Sequence, residues 1–208
     1  MTDLNSKGPK FNKSSLRPIL GLDQLGIQNV AILIANQLQS GITSITPRAR
    51  YWSFFVWVLY DFIQHAPDKS NARFKVYLKR QEWYFILGNI AYAKKNNIRI
   101  HDLMGSTMGL EAWESGIDPV EEKTDYLKNP FGGYGTYRNV LKILGLTSIA
   151  DETSNVQIDA ITKVKGKEIA QKFEQSIQHT IYYQNYRFAD APVPRDVILE
   201  YGASVSLD

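Results

Sequence analysis

The sequence predicts a mainly α-helical domain organised around one aromatic helix, and three observations carry that prediction. The stretch Tyr51-Trp-Ser-Phe-Phe-Val-Trp-Val-Leu-Tyr-Asp-Phe-Ile63 holds Tyr51, Trp52, Phe54, Phe55, Trp57, Tyr60 and Phe62 without a Gly or Pro. Apolar residues recur at helical spacing both before it and for long stretches after it. One short segment, Val156-Gln-Ile-Asp-Ala-Ile161, alternates in the manner of a strand.

Taken in order, residues 1–15 are rich in Lys, Ser and Asn with little to bury, and read as a flexible basic arm. From Asp23, a potential cap, Leu25, Ile27, Val30, Ile32, Leu33, Ile34 and Leu38 give an apolar helical face that Gly41 ends. Ile42 to Thr46 is a short extended link. Thr46 and Pro47 read as N-cap and first helical residue of the aromatic helix, because Thr can accept from an orphan amide and Pro has none to leave unpaired. A helix apolar on nearly all sides is buried on nearly all sides. Its apolar run is too short to cross a bilayer, which takes about 20 residues, so no membrane partner is expected. Arg48 and Arg50 at its start oppose the helix dipole. They should meet an anion, either the acidic block at 111–125 or a phosphate.

His65 to Asn71 reads as a turn. A long helix follows from about Ala72 to Asn96, with Phe74, Tyr77, Leu78 and Phe85 on one stripe and Trp83, Ile86, Leu87 and Ile90 on another. Lys75, Lys79, Arg80 and Lys94 are left for water or a partner. Gly88 inside this helix costs about 1 kcal/mol relative to Ala, which suggests that another helix crosses closely there. Asp102 to Gly116 holds one helix or two short ones, with Met104, Met108, Leu110 and Trp113 inward. Residues 117–130 read as an acidic loop with one helical turn from Val120 to Leu127.

Charge is distributed unevenly along the chain. Residues 68–100 carry Lys69, Arg73, Lys75, Lys79, Arg80, Lys94, Lys95 and Arg99 against Asp68 and Glu82, whereas 111–125 carry six carboxylates against Lys123. Such polarity suits a surface that steers nucleic acid to one side. The absence of cysteine excludes disulfides, thiolate metal sites and a thiol nucleophile, and fits a reducing cytoplasm, the expected location. The polar N-terminus has no apolar h-region, so no signal peptide is expected.

The run Phe131-Gly-Gly-Tyr-Gly-Thr-Tyr-Arg-Asn-Val-Leu-Lys-Ile-Leu-Gly-Leu-Thr147 is the most informative part. Thr136 can cap a helix that buries Tyr137, Val140, Leu141 and Leu144 and stops at Gly145 in a left-handed cap. Arg138, Asn139 and Lys142 share its outer face. A polar turn, Ala150 to Asn155, leads to the alternating strand. Thr162-Lys-Val-Lys-Gly166 then opens a helix with Ile169, Phe173, Ile177 and Ile181 on one stripe. This order resembles the recognition helix and wing of winged helix regulators. The 135–146 run is similar to the recognition helix of PadR-like proteins, and Ile161-Thr162 before Gly166 is similar to the post-wing motif of PadR- and MarR-like proteins, with one residue more in the spacing. The resemblance covers about residues 131–178 and implies a winged-helix-like C-terminal half with a β-wing near 150–161. The domain expectation is therefore an arm at 1–15, a helical core region at 16–130 and a winged-helix-like region at 131–208 packed on it. Separately, Gly21-Leu-Asp-Gln-Leu-Gly26, Gly41-Ile-Thr, Arg48-Ala-Arg-Tyr51 and the late Leu144-Gly-Leu together resemble the N-terminal part of uncharacterised bacterial proteins associated with phage-defence gene clusters.

No catalytic motif stands out. His65, His101 and His179 are scattered without metal-ligand spacing. Gly132-Gly-x-Gly135 could cradle a phosphate but lacks the following Lys and Ser/Thr, so a turn is the expected reading. Asp159 sits on the alternating segment as a nuclease carboxylate would, yet no second acidic strand residue accompanies it. Neither a cofactor nor a metal is expected. The final helix should run from Arg195 to Tyr201 after Pro194, with the aromatic cluster Tyr182 to Phe188 packed back on the core.

The function expected is a non-enzymatic module that binds duplex DNA, in a bacterial defence or regulatory system. Arg138, Asn139 and Lys142 would meet the groove, and Lys7, Lys10, Lys13, Arg48 and Arg50 the phosphates. The alternatives are a protein–protein adaptor subunit of a larger assembly and, third, a fragment of a metal-dependent nuclease.

Overall fold

The computed structural model describes residues 27–38, 46, 48–148 and 158–207. The basic arm with Lys7, Lys10 and Lys13, the Asp23 cap, the Gly41 stop, Pro47 and the 150–155 turn lie outside the described residues. The chain divides into two units, 1–39 and 40–208. The first holds helix α1 (Ile27–Leu38), which leaves Ile27, Val30, Ile32, Leu33 and Ile34 exposed.

The second unit is mainly helical. Its elements are α2 (Ala49–His65), α3 (Asn71–Asn96), α4 (Ser106–Glu114), α5 (Tyr134–Ile143), strands β1 (Thr147–Ser148) and β2 (Ala160–Ile161), α6 (Lys165–Ile177), a π-helical turn (Tyr182–Tyr186) and α7 (Arg195–Val205). Helix α2 lies between α6 on one side and α5 and α3 on the others, and α3 packs on α4 and α7. Tyr51, Phe54 to Leu59 and Phe62 are all buried. Each large ring removes about 150–250 Å² from water, and the rings tile directly. Phe54 stacks on Phe85 at 4.2 Å, Tyr51 on Tyr137 at 5.1 Å, and Trp57 lies 5.3 Å from Phe173. No helix among the described residues is long and apolar enough to cross a membrane.

The start of α2 differs from the sequence reading. Arg48, still in extended backbone, is the N-cap, and no side chain caps the helix. Thr46 lies before the helix, buried in a bend. Helix α3 begins at Asn71, one residue before the expected Ala72, with Ser70 accepting from the Arg73 amide, and ends on Asn97 in left-handed backbone. Both of its stripes are buried. At Gly88 the crossing helix is α7: a Cβ on Gly88 would stand 3.2 Å from the Gly202 Cα, and one on Gly202 would stand 2.2 Å from the Gly88 carbonyl oxygen. At Gly202 there is no room for a Cβ, and at Gly88 the fit is tight.

Arg80 turns inward instead of facing water. It is 4 % exposed, pairs with Glu122 at 2.7 Å and donates to the Ala191 and Tyr186 carbonyls. The helical turn expected at Val120–Leu127 is absent, because its backbone bonds are spent elsewhere. Val120 pairs with Val193 as an isolated bridge, while Tyr84, Trp83 and Lys79 donate to the carbonyls of Val120, Glu121 and Thr124. The last helix runs to Val205, past the expected Tyr201. Ile181 is not on the α6 stripe; the helix ends at Ile177 and Ile181 is 44 % exposed.

Candidate nucleic-acid interface

Helix α5 begins at Tyr134, two residues before the Thr136 cap that the sequence suggests. The reason is a carboxylate supplied from α3. Glu82 is wholly buried, and both its oxygens accept from the Gly133 amide at 2.9 Å while Tyr126 donates to it at 2.6 Å. An anion at a helix N-terminus is favoured by the dipole. The Gly132-Gly133 pair exists for this approach: a Cβ at either position would fall 2.1 or 2.3 Å from a Glu82 oxygen. The Gly-rich turn thus cradles the chain's own carboxylate. Burial pushes the Glu82 carboxyl up to about 7, against the opposing pull of Tyr126, Gly133 and Lys79.

The other end of α5 closes as its sequence suggests. Gly145 has φ +69°, and the Leu146 amide reaches back to the Leu141 carbonyl at 2.9 Å. Leu146 leads into β1, which pairs antiparallel with β2 through Thr147–Ile161 and Ser148–Ala160. Thr162 then binds the exit of α5: its amide donates to the Leu146 carbonyl, its hydroxyl to that of Gly145, and the hydroxyl accepts from the Gly166 amide at the start of α6. Lys163, Lys165 and Lys167 follow directly and are exposed. The helix N-terminus there carries a partial positive charge of its own.

The outer face of α5 holds a buried anion. Asp159 sits just before β2 with its side chain fully enclosed. It takes a two-pronged bond from Arg138, Nε to Oδ2 at 2.6 Å and Nη2 to Oδ1 at 2.9 Å, with Lys142 Nζ 3.3 Å from Oδ1 and the Tyr134 hydroxyl 2.5 Å from Oδ2. Burial alone would raise this carboxyl, but Arg138, Tyr134 and Lys142 outweigh it and hold it below the usual carboxylate range. Arg138 and Lys142 keep 40 % and 26 % of their side chains in solvent, and Asn139 between them is exposed. With both oxygens engaged, Asp159 is poorly disposed to ligate a metal.

Arg48 and Arg50 are placed elsewhere and do not meet the acidic 111–125 block. Arg48 lies 3.5 Å from Asp102, while Arg50 stacks 4.7 Å over Phe173 and donates to Ser176 and to the Ser204 carbonyl. The acidic block is answered by Arg80 on Glu122, Lys94 on Glu114 and the Arg195 amide on Asp118. The sequence reading missed Asp159 as a partner for α5. The signal was two cations one turn apart, Arg138 and Lys142, on a face that would repel itself without an anion between them.

Asp159→Asn tests this hub. The variant loses about 2 kcal/mol in a urea melt, less than for a fully enclosed pair because both cations reach water. An unchanged midpoint would show the hub to be electrostatically idle.

No family model matches the chain, and no curated protein or solved structure matches it.

Proposed function

We propose that the chain is a non-enzymatic module that binds duplex DNA, with a winged-helix-like end formed by α5, the β1–β2 pair and α6. The observation that carries this reading is the set of solvent-reaching cations on two linked elements, Arg138 and Lys142 on α5 and Lys163, Lys165 and Lys167 at the start of α6, with Thr162 tying the exit of α5 to the start of α6. The helix–strand–strand–helix order and the resemblance to PadR- and MarR-like regulators support the same assignment. Asp159 refines it. Arg138 is already engaged on two of its nitrogens, so it serves phosphates through its outer edge more readily than it reads a guanine. Asn139 is exposed on this face and available to a base edge.

Binding to random duplex DNA followed across a salt titration is the test. Arg138→Ala with Lys142→Ala lowers affinity about tenfold or more and flattens the log–log salt slope by about 2, one phosphate for each cation lost. Asp159→Asn strengthens binding even as it destabilises the fold, because it removes the anion beneath the two cations. A wild-type chain with no affinity for duplex DNA at low salt would end this reading.

A second reading, a protein–protein adaptor, is favoured by a groove of about 280 Å³ lined by Glu111, Ala112, Ser115, Ile117, Val120, Glu121 and Lys123. Its Ile117 is 63 % exposed beside acidic walls, which suits a basic, apolar peptide. DNA affinity that survives Arg138→Ala with Lys142→Ala unchanged would shift the assignment towards it.

A further inference from the structure

Away from α5, the C-terminal turn of α2 and the outer part of α6 bring three metal-ligating side chains together. Asp61 and His65 lie one helical turn apart on α2, and Glu174 comes from α6; one ligand atom from each stands within 4.8 Å of the others. The burial is graded. Asp61 is fully enclosed, Glu174 is intermediate, and the His65 side chain is 44 % exposed, so the group opens to solvent on the imidazole side.

Each carboxylate is held from behind. On Asp61, Oδ2 accepts from the Tyr77 hydroxyl and faces Arg187 Nε at 3.5 Å, while Oδ1 is the oxygen turned to His65 Nδ1, at 2.8 Å. On Glu174, Oε1 accepts from the Tyr183 hydroxyl at 2.5 Å. Tyrosines behind both carboxylates and a guanidinium behind the buried one form the kind of outer support that orients metal ligands. Arg187 stands on the far oxygen of Asp61, away from the space shared with His65, and stacks 3.8 Å over the Tyr183 ring.

A separate observation comes from Trp57. It is wholly buried one turn before Asp61, with its ring 5.3 Å from that of Phe173, the neighbour of Glu174, and 6.4 Å from that of Tyr183. Its indole N–H has no acceptor among the described residues. A buried donor of this kind calls for an explanation.

Charge and chemistry then choose the ligand. Two carboxylates and one guanidinium surround the imidazole, so the charged side chains of the group sum to net negative. A mixed imidazole and carboxylate set without thiolate suits a borderline divalent ion. Ligands around one zinc ion at about 2.0–2.2 Å lie roughly 3–4 Å apart, so the Asp61–His65 contact opens from 2.8 Å while Glu174 closes in. We propose that Asp61, His65 and Glu174 bind one divalent transition-metal ion of the zinc class, joining α6 to the end of α2. Water fills the remaining positions, and His65 binds through one ring nitrogen while its proton stays on the other.

The full chain, stripped with a chelator and titrated with zinc chloride at neutral pH in a calorimeter, takes up one equivalent, and its melting temperature rises. His65→Ala and Glu174→Gln, both at side chains that are not fully buried, keep the native circular dichroism spectrum, lose at least tenfold in zinc affinity and lose the thermal shift. Cobalt(II) in place of zinc gives visible absorption bands in the wild type that both variants lack. No saturable zinc uptake by the wild type would overturn the proposal. So would uptake that His65→Ala and Glu174→Gln leave unchanged, which would place the ion at His101 or His179.

Discussion

Replacing Gly202 with alanine lowers the melting temperature by about 6–12 °C, equivalent to about 3 kcal/mol in a chain of this size. The methyl group would meet the carbonyl oxygen of Gly88 at 2.2 Å, and that atom belongs to backbone in the middle of α3. It cannot rotate aside; α3 and α7 must separate, and theirs is the most extensive helix pairing among the described residues. The clash outweighs the gain of about 1 kcal/mol that alanine brings to a helix interior. Gly88→Ala behaves differently. Its methyl group meets Gly202 Cα, Tyr201 Cδ1 and Val205 Cγ2 at 3.2–3.3 Å, a tight fit in which two of the three neighbours are side chains. Its stability stays within about 1 kcal/mol of wild type, because propensity offsets the crowding. Equal effects of the two substitutions in parallel melts would refute this crossing geometry.

The second large effect depends on pH. Glu82 has its carboxyl pushed from an ordinary 4.5 to about 7. Between those values the folded chain holds a proton that the unfolded chain has released. Stability therefore falls as pH rises through this window and levels off above it, by about 3 kcal/mol in all at 1.36 kcal/mol per unit. Glu82→Gln resembles the protonated acid: it still accepts from the Gly133 amide and cannot ionise. The variant matches wild type near pH 4.5 and exceeds it by about 3 kcal/mol at pH 8. Urea melts of both proteins across that range, compared as differences, cancel the contributions of every other titrating group. A constant difference would mean that Glu82 ionises in the fold as it does in water.

Much of the helical plan could be read directly from the residues, because periodicity and punctuation agree. Phe74, Tyr77, Leu78 and Phe85 on one stripe and Trp83, Ile86, Leu87 and Ile90 on the other are all buried. Gly88 announced a close crossing without naming the partner, since nothing local distinguishes α7 from another helix. Gly145 announced the stop of α5. What stayed hidden was every polar contact between distant residues. Arg80 looks like surface by its charge, but its partners Glu122 and Ala191 lie 42 and 111 positions away. Glu82, 51 positions from Gly133, cannot be recognised as the anchor of α5 from composition. Asp61 and His65 do carry a local sign, an i,i+4 pair of ligand types, but Glu174 reaches them only through the packing of α2 on α6.

The unbroken enclosure of Arg80 through Ala91 in the middle of α3 has a kinetic consequence. Water reaches those backbone amides only when the surrounding helices come apart together, so local fraying does not expose them. Their deuterium uptake reports the free energy of global opening, and they form the slowest-exchanging core of the chain. The termini of the same helix, with Arg73 and Lys94 at its surface, exchange long before.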